Sequence, residues 1–102
     1  MQLIQLFLPV RDNEGTPFPR ADYDAVRALL TERFGGVTAF VHSPAVGLWE
    51  SDEGECFHDE VVLFEVMVDA VDASWWRDYG RQLCRQFCQE EILVRALGAE
   101  RL

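Results

Sequence analysis

Four polar side chains stand where chemistry could be done. Glu65 interrupts the apolar run Val61-Val62-Leu63-Phe64-Glu65-Val66-Met67-Val68. A carboxyl group set among such neighbours is a candidate for general acid or base work. Gln5 interrupts a similar run near the start of the chain, and His42 follows a third one. Arg95, in the last apolar stretch, offers Glu65 a structural ion pair instead of a catalytic role. His42 and His58, with Asp59 and Glu60 beside them, would suit zinc or another transition metal. Their spacing matches no tight ligand motif, so no metal site is expected and the two histidines stand as weak candidates.

Three cysteines add less. Cys84 and Cys88 lie one helical turn apart on an apolar stripe, the pattern of two small core side chains. Cys56 and His58 share a strand face, but nothing supplies the third member or the oxyanion donors of a nucleophilic site. Trp49 could wall a ligand pocket and offer its N–H to a partner. The Arg11-Asp12-Asn13-Glu14-Gly15 segment reads as a flexible solvated loop.

Composition removes whole classes of function. All 9 basic residues are arginine, which excludes internal Schiff-base chemistry and a P-loop. The net charge of −9 repels nucleic acid and anionic membrane, because both are bound by cationic side chains. No apolar run approaches the roughly 20 residues that span a bilayer. Met1-Gln2-Leu3-Ile4 carries no basic region ahead of an apolar one, so no secretory signal is read and a cytoplasmic location is expected. An odd number of cysteines agrees with a reducing compartment. No cofactor is expected.

The elements that would position these residues follow from periodicity. Residues 2–9 alternate as a strand ended by Pro9. A helix is expected over 22–34, capped by Asp22 and closed by Gly35, with Val26, Leu29, Leu30 and Phe34 on its apolar stripe. A second strand over 37–42 is interrupted by Pro44 and Gly47 and resumes over 46–50; residues 51–55 make a hairpin turn. The third strand, 57–69, is the strongest. A second helix starts at Asp72 or Ser74 and runs to about Gln89, with Trp76, Leu83 and Phe87 inward. Residues 90–97 complete the set.

The order βαββαβ over 102 residues is that of a single ferredoxin-like α+β domain. In such a sandwich the four-stranded antiparallel sheet has order 4-1-3-2, with two helices on one face. Ile4, Leu6, Leu8, Val62, Phe64, Val66 and Val68 then meet the helices. The opposite face shows Leu3, Gln5, Phe7, Leu63, Glu65 and Met67, joined by Thr38, Phe40 and His42. An antiparallel sheet facing water usually reads polar there. An apolar patch of this size is more than monomers tolerate, so a homodimer through the open face is expected. A ligand cavity would involve Gln5, Phe7, His42, Trp49, Glu65 and Met67.

Five segments carry a family resemblance: residues 1–6, Phe34-Gly35-Gly36-Val37-Thr38-Ala39, Gly47-Leu48-Trp49, Phe64-Glu65-Val66-Met67-Val68, and Gln89-Glu90-Glu91-Ile92-Leu93-Val94-Arg95. Together they resemble a family of small stand-alone bacterial proteins, ferredoxin-like in architecture and without an assigned activity. The resemblance covers essentially the whole chain and implies its boundaries, not its function. In topology alone the chain is similar to dimeric α+β barrel proteins, which include small monooxygenases, isomerases and dehydratase-like enzymes. None of their catalytic motifs is matched.

Two functions fit. One is a non-catalytic homodimeric module that binds a small ligand or a protein through the open face, the reading favoured by the missing catalytic motif. The other is a cofactor-independent dimeric enzyme of α+β barrel type, acting on a small apolar or aromatic substrate with Glu65 or His42 as acid or base.

Overall fold

The computed structural model describes residues 1–40, 46–50 and 56–102, and the side chains of residues 1–38 and 61–102. The chain orders its elements as β1 (Gln2–Pro9), α1 (Arg20–Phe34), β2 (Thr38–Phe40), β3 (Val46–Glu50), β4 (Cys56–Val68), α2 (Ala73–Gln86) and β5 (Val94–Gly98). The α+β class is therefore as expected, with two helices and an antiparallel sheet.

Among the described residues the sheet holds five strands where four were expected, because the interrupted second strand is two, β2 and β3, both paired with β4. Its path is β2-β4-β1-β5, and every pairing is antiparallel. Phe40 lies opposite Leu63 and Val46 opposite Glu60. The β1–β4 ladder runs from Gln2 opposite Val68 to Pro9 opposite Val61. Pro9 brings no N–H to a further rung, so the ladder stops there.

Period-two alternation sorts the two faces as the sequence implied. Ile4, Leu6, Leu8, Phe64 and Val66 are buried, and they share one core with Val26 and Leu30 of α1 and Trp76, Tyr79 and Leu83 of α2. Both helices thus cover the same face. Burying each of these large side chains contributes about 1.5–3 kcal/mol, so this face supplies most of the fold's driving force. Aromatic contacts fasten the helices to each other at both ends. Phe34, at the end of α1, stacks on Trp76 at 5.2 Å and meets Trp75 edge-on at 5.3 Å. At the other end Phe87 packs against Phe18 at 5.1 Å and Tyr23 at 5.5 Å.

The element ends depart from expectation in three places. α1 begins at Arg20, not Asp22; Pro19 precedes it with its φ at −59°, and the Pro19 carbonyl accepts the Asp22 N–H at 3.0 Å. Asp22 falls in the first turn, where its charge complements the helix dipole rather than capping it. α2 is capped by Asp72, whose carboxylate accepts the Trp75 N–H at 3.1 Å, but it stops at Gln86. Cys88 adopts a left-handed φ of 50° and is exposed, so Cys84 and Cys88 are not a pair of core residues. β5 starts at Val94, four residues later than expected, after a non-helical connection from α2. Among the described residues no helix is long and apolar enough to cross a membrane.

Candidate active site

The face without helices is laid out in rungs set by the register. Leu97, Leu3 and Met67 form one rung; Arg95, Gln5, Glu65 and Thr38 form the next. Phe7 and Leu63 follow, extended by Leu93, whose carbonyl accepts the Phe7 N–H at 3.0 Å. Pro9 and Val61 close the series.

The second rung is a connected polar chain across three strands. Arg95 Nε donates to Gln5 Oε1 at 2.7 Å, and Gln5 Nε2 donates to Glu65 Oε2 at 2.8 Å. The chemistry of the two ends fixes the amide: guanidinium donates only and carboxylate accepts only, so Gln5 must present its oxygen to one and its nitrogen to the other. Glu65 is half-buried, and among the described residues its hydrogen-bond partner is Gln5, at one carboxylate oxygen. Within one chain Arg95 and Glu65 are thus joined through the Gln5 amide. The Arg95 guanidinium also lies 5.1 Å from the centre of the Phe7 ring, a cation–π contact that orients both side chains.

Beyond Phe7 the face ends in a cleft of about 630 Å³. Phe7, Pro9, Val61 and Leu93 line it from the sheet, Val10 to Asn13 and Gly15 from the loop after β1, and Gln89, Glu91 and Ile92 from the chain entering β5. The loop expected to be flexible is tied down. Asp12 Oδ1 accepts the N–H groups of Glu14 at 2.9 Å and Thr16 at 2.8 Å, and Arg11 forms a bridge with Pro17. Phe18 N–H returns to the Val10 carbonyl at 3.1 Å. Gly15 supplies a left-handed turn at φ 85°, a conformation that glycine adopts without a Cβ clash. Tyr23 steadies the base of the loop from α1: its hydroxyl donates to the Pro9 carbonyl at 2.6 Å. Burial and, secondarily, the Asp22 carboxylate push its pKa up, which keeps that donor protonated. A second, smaller cleft of about 360 Å³ lies beside α2, lined by Trp76, Gly80, Cys84 and Val94 among others, away from the polar chain.

Of the residues expected to form a site, the structure brings Gln5, Phe7 and Glu65 together on adjacent rungs and leaves Met67 two rungs from Phe7, 48% exposed. His42 lies outside the described residues, and the side chains of Trp49 and His58 lie outside those described. The loop from Arg11 to Gly15, with Gln89, Glu91 and Leu93, was not anticipated as a cleft. The local signal was the Asp12 side chain with Gly15 and Thr16 behind it, the composition of a hydrogen-bonded turn.

No family model matches the chain. No curated protein sequence matches it. Among solved structures it is similar to a phage SAM lyase in complex with S-methyl-5'-thioadenosine, with a TM-score of 0.58 and 14% identity over 94% of this chain and 79% of that one. The same comparison with a phage SAM lyase in its apo state gives a TM-score of 0.53 and 14% identity over 94% and 78%. At this identity the likeness is one of fold. It nevertheless overturns the expectation of a non-catalytic binding module. That expectation rested on the missing catalytic motif, and the fold this chain shares serves an enzyme in both matched structures.

Proposed function

We propose that this chain is an enzyme that cleaves a small sulfonium substrate of the S-adenosylmethionine type, with Glu65 as the proton acceptor. What carries the reading is the likeness in fold to a SAM lyase, together with a half-buried carboxylate on the sheet face that no helix covers. The chemistry asks little of the protein. The carbon–sulfur bond breaks with both electrons passing to sulfur, which departs as a neutral thioether. The carbon fragment gives up one proton, and Glu65 takes it. No added group is needed to activate a leaving group that already carries positive charge. Gln5 holds the Glu65 carboxylate through one oxygen, and Arg95 is placed to meet a substrate carboxylate while it steadies Gln5.

In this reading the arrangement is ferredoxin-like, with a second copy of the chain covering the Leu97–Leu3–Met67 rung. Met67 and Leu97 are 48% and 41% exposed, an apolar end that association would bury. Light scattering at high micromolar concentration should return a dimer, reverting to monomer on Met67→Arg.

The decisive assay incubates the protein with S-adenosylmethionine and measures release of S-methyl-5'-thioadenosine by chromatography. Glu65→Gln should keep the fold and lower kcat by about 10²–10⁴, the usual worth of a positioned proton acceptor. No release by the wild-type protein, or equal release by Glu65→Gln, would sink the proposal.

A further inference from the structure

Resting on that reading, we propose that the cleft at the Pro9–Leu93 end of the open face holds the nucleoside half of the substrate, and that the sulfonium half lies along Phe7 toward Gln5 and Glu65. The first support is parity. Phe7, Pro9, Val61 and Leu93 all belong to the face that carries Gln5 and Glu65, so the cleft and the polar chain open on one side of the sheet. The second is size and preformation. About 630 Å³ falls within the range of small-molecule sites. Its roof is the loop that Asp12 closes on itself, so binding orders little that is not already ordered.

The third support is chemical. Phe7, Pro9, Val61 and Leu93 give the cleft an apolar surface for a purine face, and two side-chain amides, Asn13 and Gln89, line it beside the charged Arg11, Asp12 and Glu91. A side-chain amide is the group whose donor and acceptor match the amino group and ring nitrogen on one edge of adenine. Gln89 already donates its Nε2 to the Phe87 carbonyl at 3.0 Å, which orients its free oxygen as an acceptor. The fourth is reach. From the Pro9–Val61 rung to the Gln5–Glu65 rung is four residues, about 13 Å along a strand. A nucleoside extended by a short thioalkyl chain bridges that span, passing the Phe7 ring and the Arg95 guanidinium held 5.1 Å from it.

The test is calorimetric titration of S-methyl-5'-thioadenosine into the full chain and three variants. Leu93 is 52% exposed, so Leu93→Arg places a bulky charge in the cleft without disturbing the core, and it should weaken binding at least tenfold. Asn13→Ala, in an exposed turn, should weaken it about tenfold if the amide reads the base. Val71→Arg, an exposed apolar position remote from the cleft lining, should bind like the wild type. Wild-type affinity in both Leu93→Arg and Asn13→Ala, or no binding by the wild type, overturns the assignment. The two proposals separate cleanly. Turnover of S-adenosylmethionine that Leu93→Arg leaves untouched keeps the lyase and removes the cleft. Thioadenosine binding that Leu93→Arg abolishes, without turnover by the wild type, keeps the cleft and removes the lyase.

Discussion

If the Arg95–Gln5–Glu65 chain is one energetic unit, its two ends must feel each other through the amide. Strands in a sheet are spaced about 4.8 Å apart, so β5 and β4, flanking β1, place the backbones of Arg95 and Glu65 about 10 Å apart. Substitutions that far apart usually add to within about 0.3–0.5 kcal/mol. The bond from Gln5 to the Glu65 carboxylate is charge-assisted and half-buried, worth about 1.5 kcal/mol, the low end for a charged acceptor. The bond from Arg95 is also charge-assisted but exposed, and about 0.5–1 kcal/mol is expected of it. Removing either end frees the amide to rotate and weakens the other bond. Arg95→Ala and Glu65→Ala should therefore couple by about 0.5–1 kcal/mol in urea denaturation followed by tryptophan fluorescence. The measurement belongs near 1 M salt, where a Debye length of about 3 Å removes direct attraction between the two charges. In a Gln5→Leu background the coupling should vanish. Additivity within 0.3 kcal/mol in the wild-type background would refute the argument, and the three residues would then be neighbours only.

Other outcomes follow from the same contacts. Phe64 is wholly buried between the sheet and both helices, so Phe64→Ala should cost about 3–5 kcal/mol, read as a shift in the urea midpoint. Asp72→Ala removes the α2 cap and should cost about 1 kcal/mol, a drop of roughly 4–8 °C in Tm. Burial pushes the Tyr79 pKa up to about 12 from 10.0. Below pH 10 the phenol is protonated in folded and unfolded chains alike and stability does not change on its account. Between pH 10 and 12 only the unfolded chain ionises, so stability should fall by at most about 2.7 kcal/mol, and by about 1–2 kcal/mol once solvent screening is allowed for. Tyr79→Phe should flatten that alkaline loss. Tyr23→Phe should cost about 0.5–1.5 kcal/mol and, by freeing the Pro9 carbonyl at the edge of the cleft, weaken thioadenosine binding.

The faces of the sheet were legible because β1 and β4 alternate without a break, and a period of two leaves only one choice of inward set. Gln5 and Glu65 could be placed on one face for the same reason. That they touch could not, because contact depends on register, and the register between residues sixty positions apart is fixed by the whole β1–β4 ladder. Arg95 was matched to the right carboxylate, and the expected strand order already set β1 between their strands, but that the Gln5 amide would link the two depends on side-chain rotamers that periodicity does not show. The cleft was missed for a different reason. Asp12 and Gly15 signal a turn, but whether a turn stands in water or folds back over a sheet is decided by tertiary contacts such as Tyr23 to Pro9. Cys88 misled because helical spacing was carried past the residue at which the helix ends. The functional error had a chemical source: a missing motif counts against catalysis only when the reaction needs several groups held at fixed spacing.

A sulfonium cleavage is a reaction that does not need them. The substrate brings its own charged leaving group, so the protein has to exclude water, hold an extended conformer and offer one base. In the proposed reading the rungs of the open face suit that task, with an apolar shelf at Phe7 and Leu63 between a cleft and a carboxylate. The net charge of −9 attracts a cationic small molecule by simple Coulombic steering. Arg95 then has a double part. It cancels some of the negative field at the carboxylate, and through Gln5 it fixes where that carboxylate points. A face built only to bind a second copy would gain little from Glu65 in its interior, because a buried carboxylate, even one hydrogen-bonded to Gln5, costs more to desolvate than an apolar side chain. In the proposed reading the half-buried Glu65 carboxylate, held at one oxygen by the Gln5 amide, presents its other oxygen to the substrate.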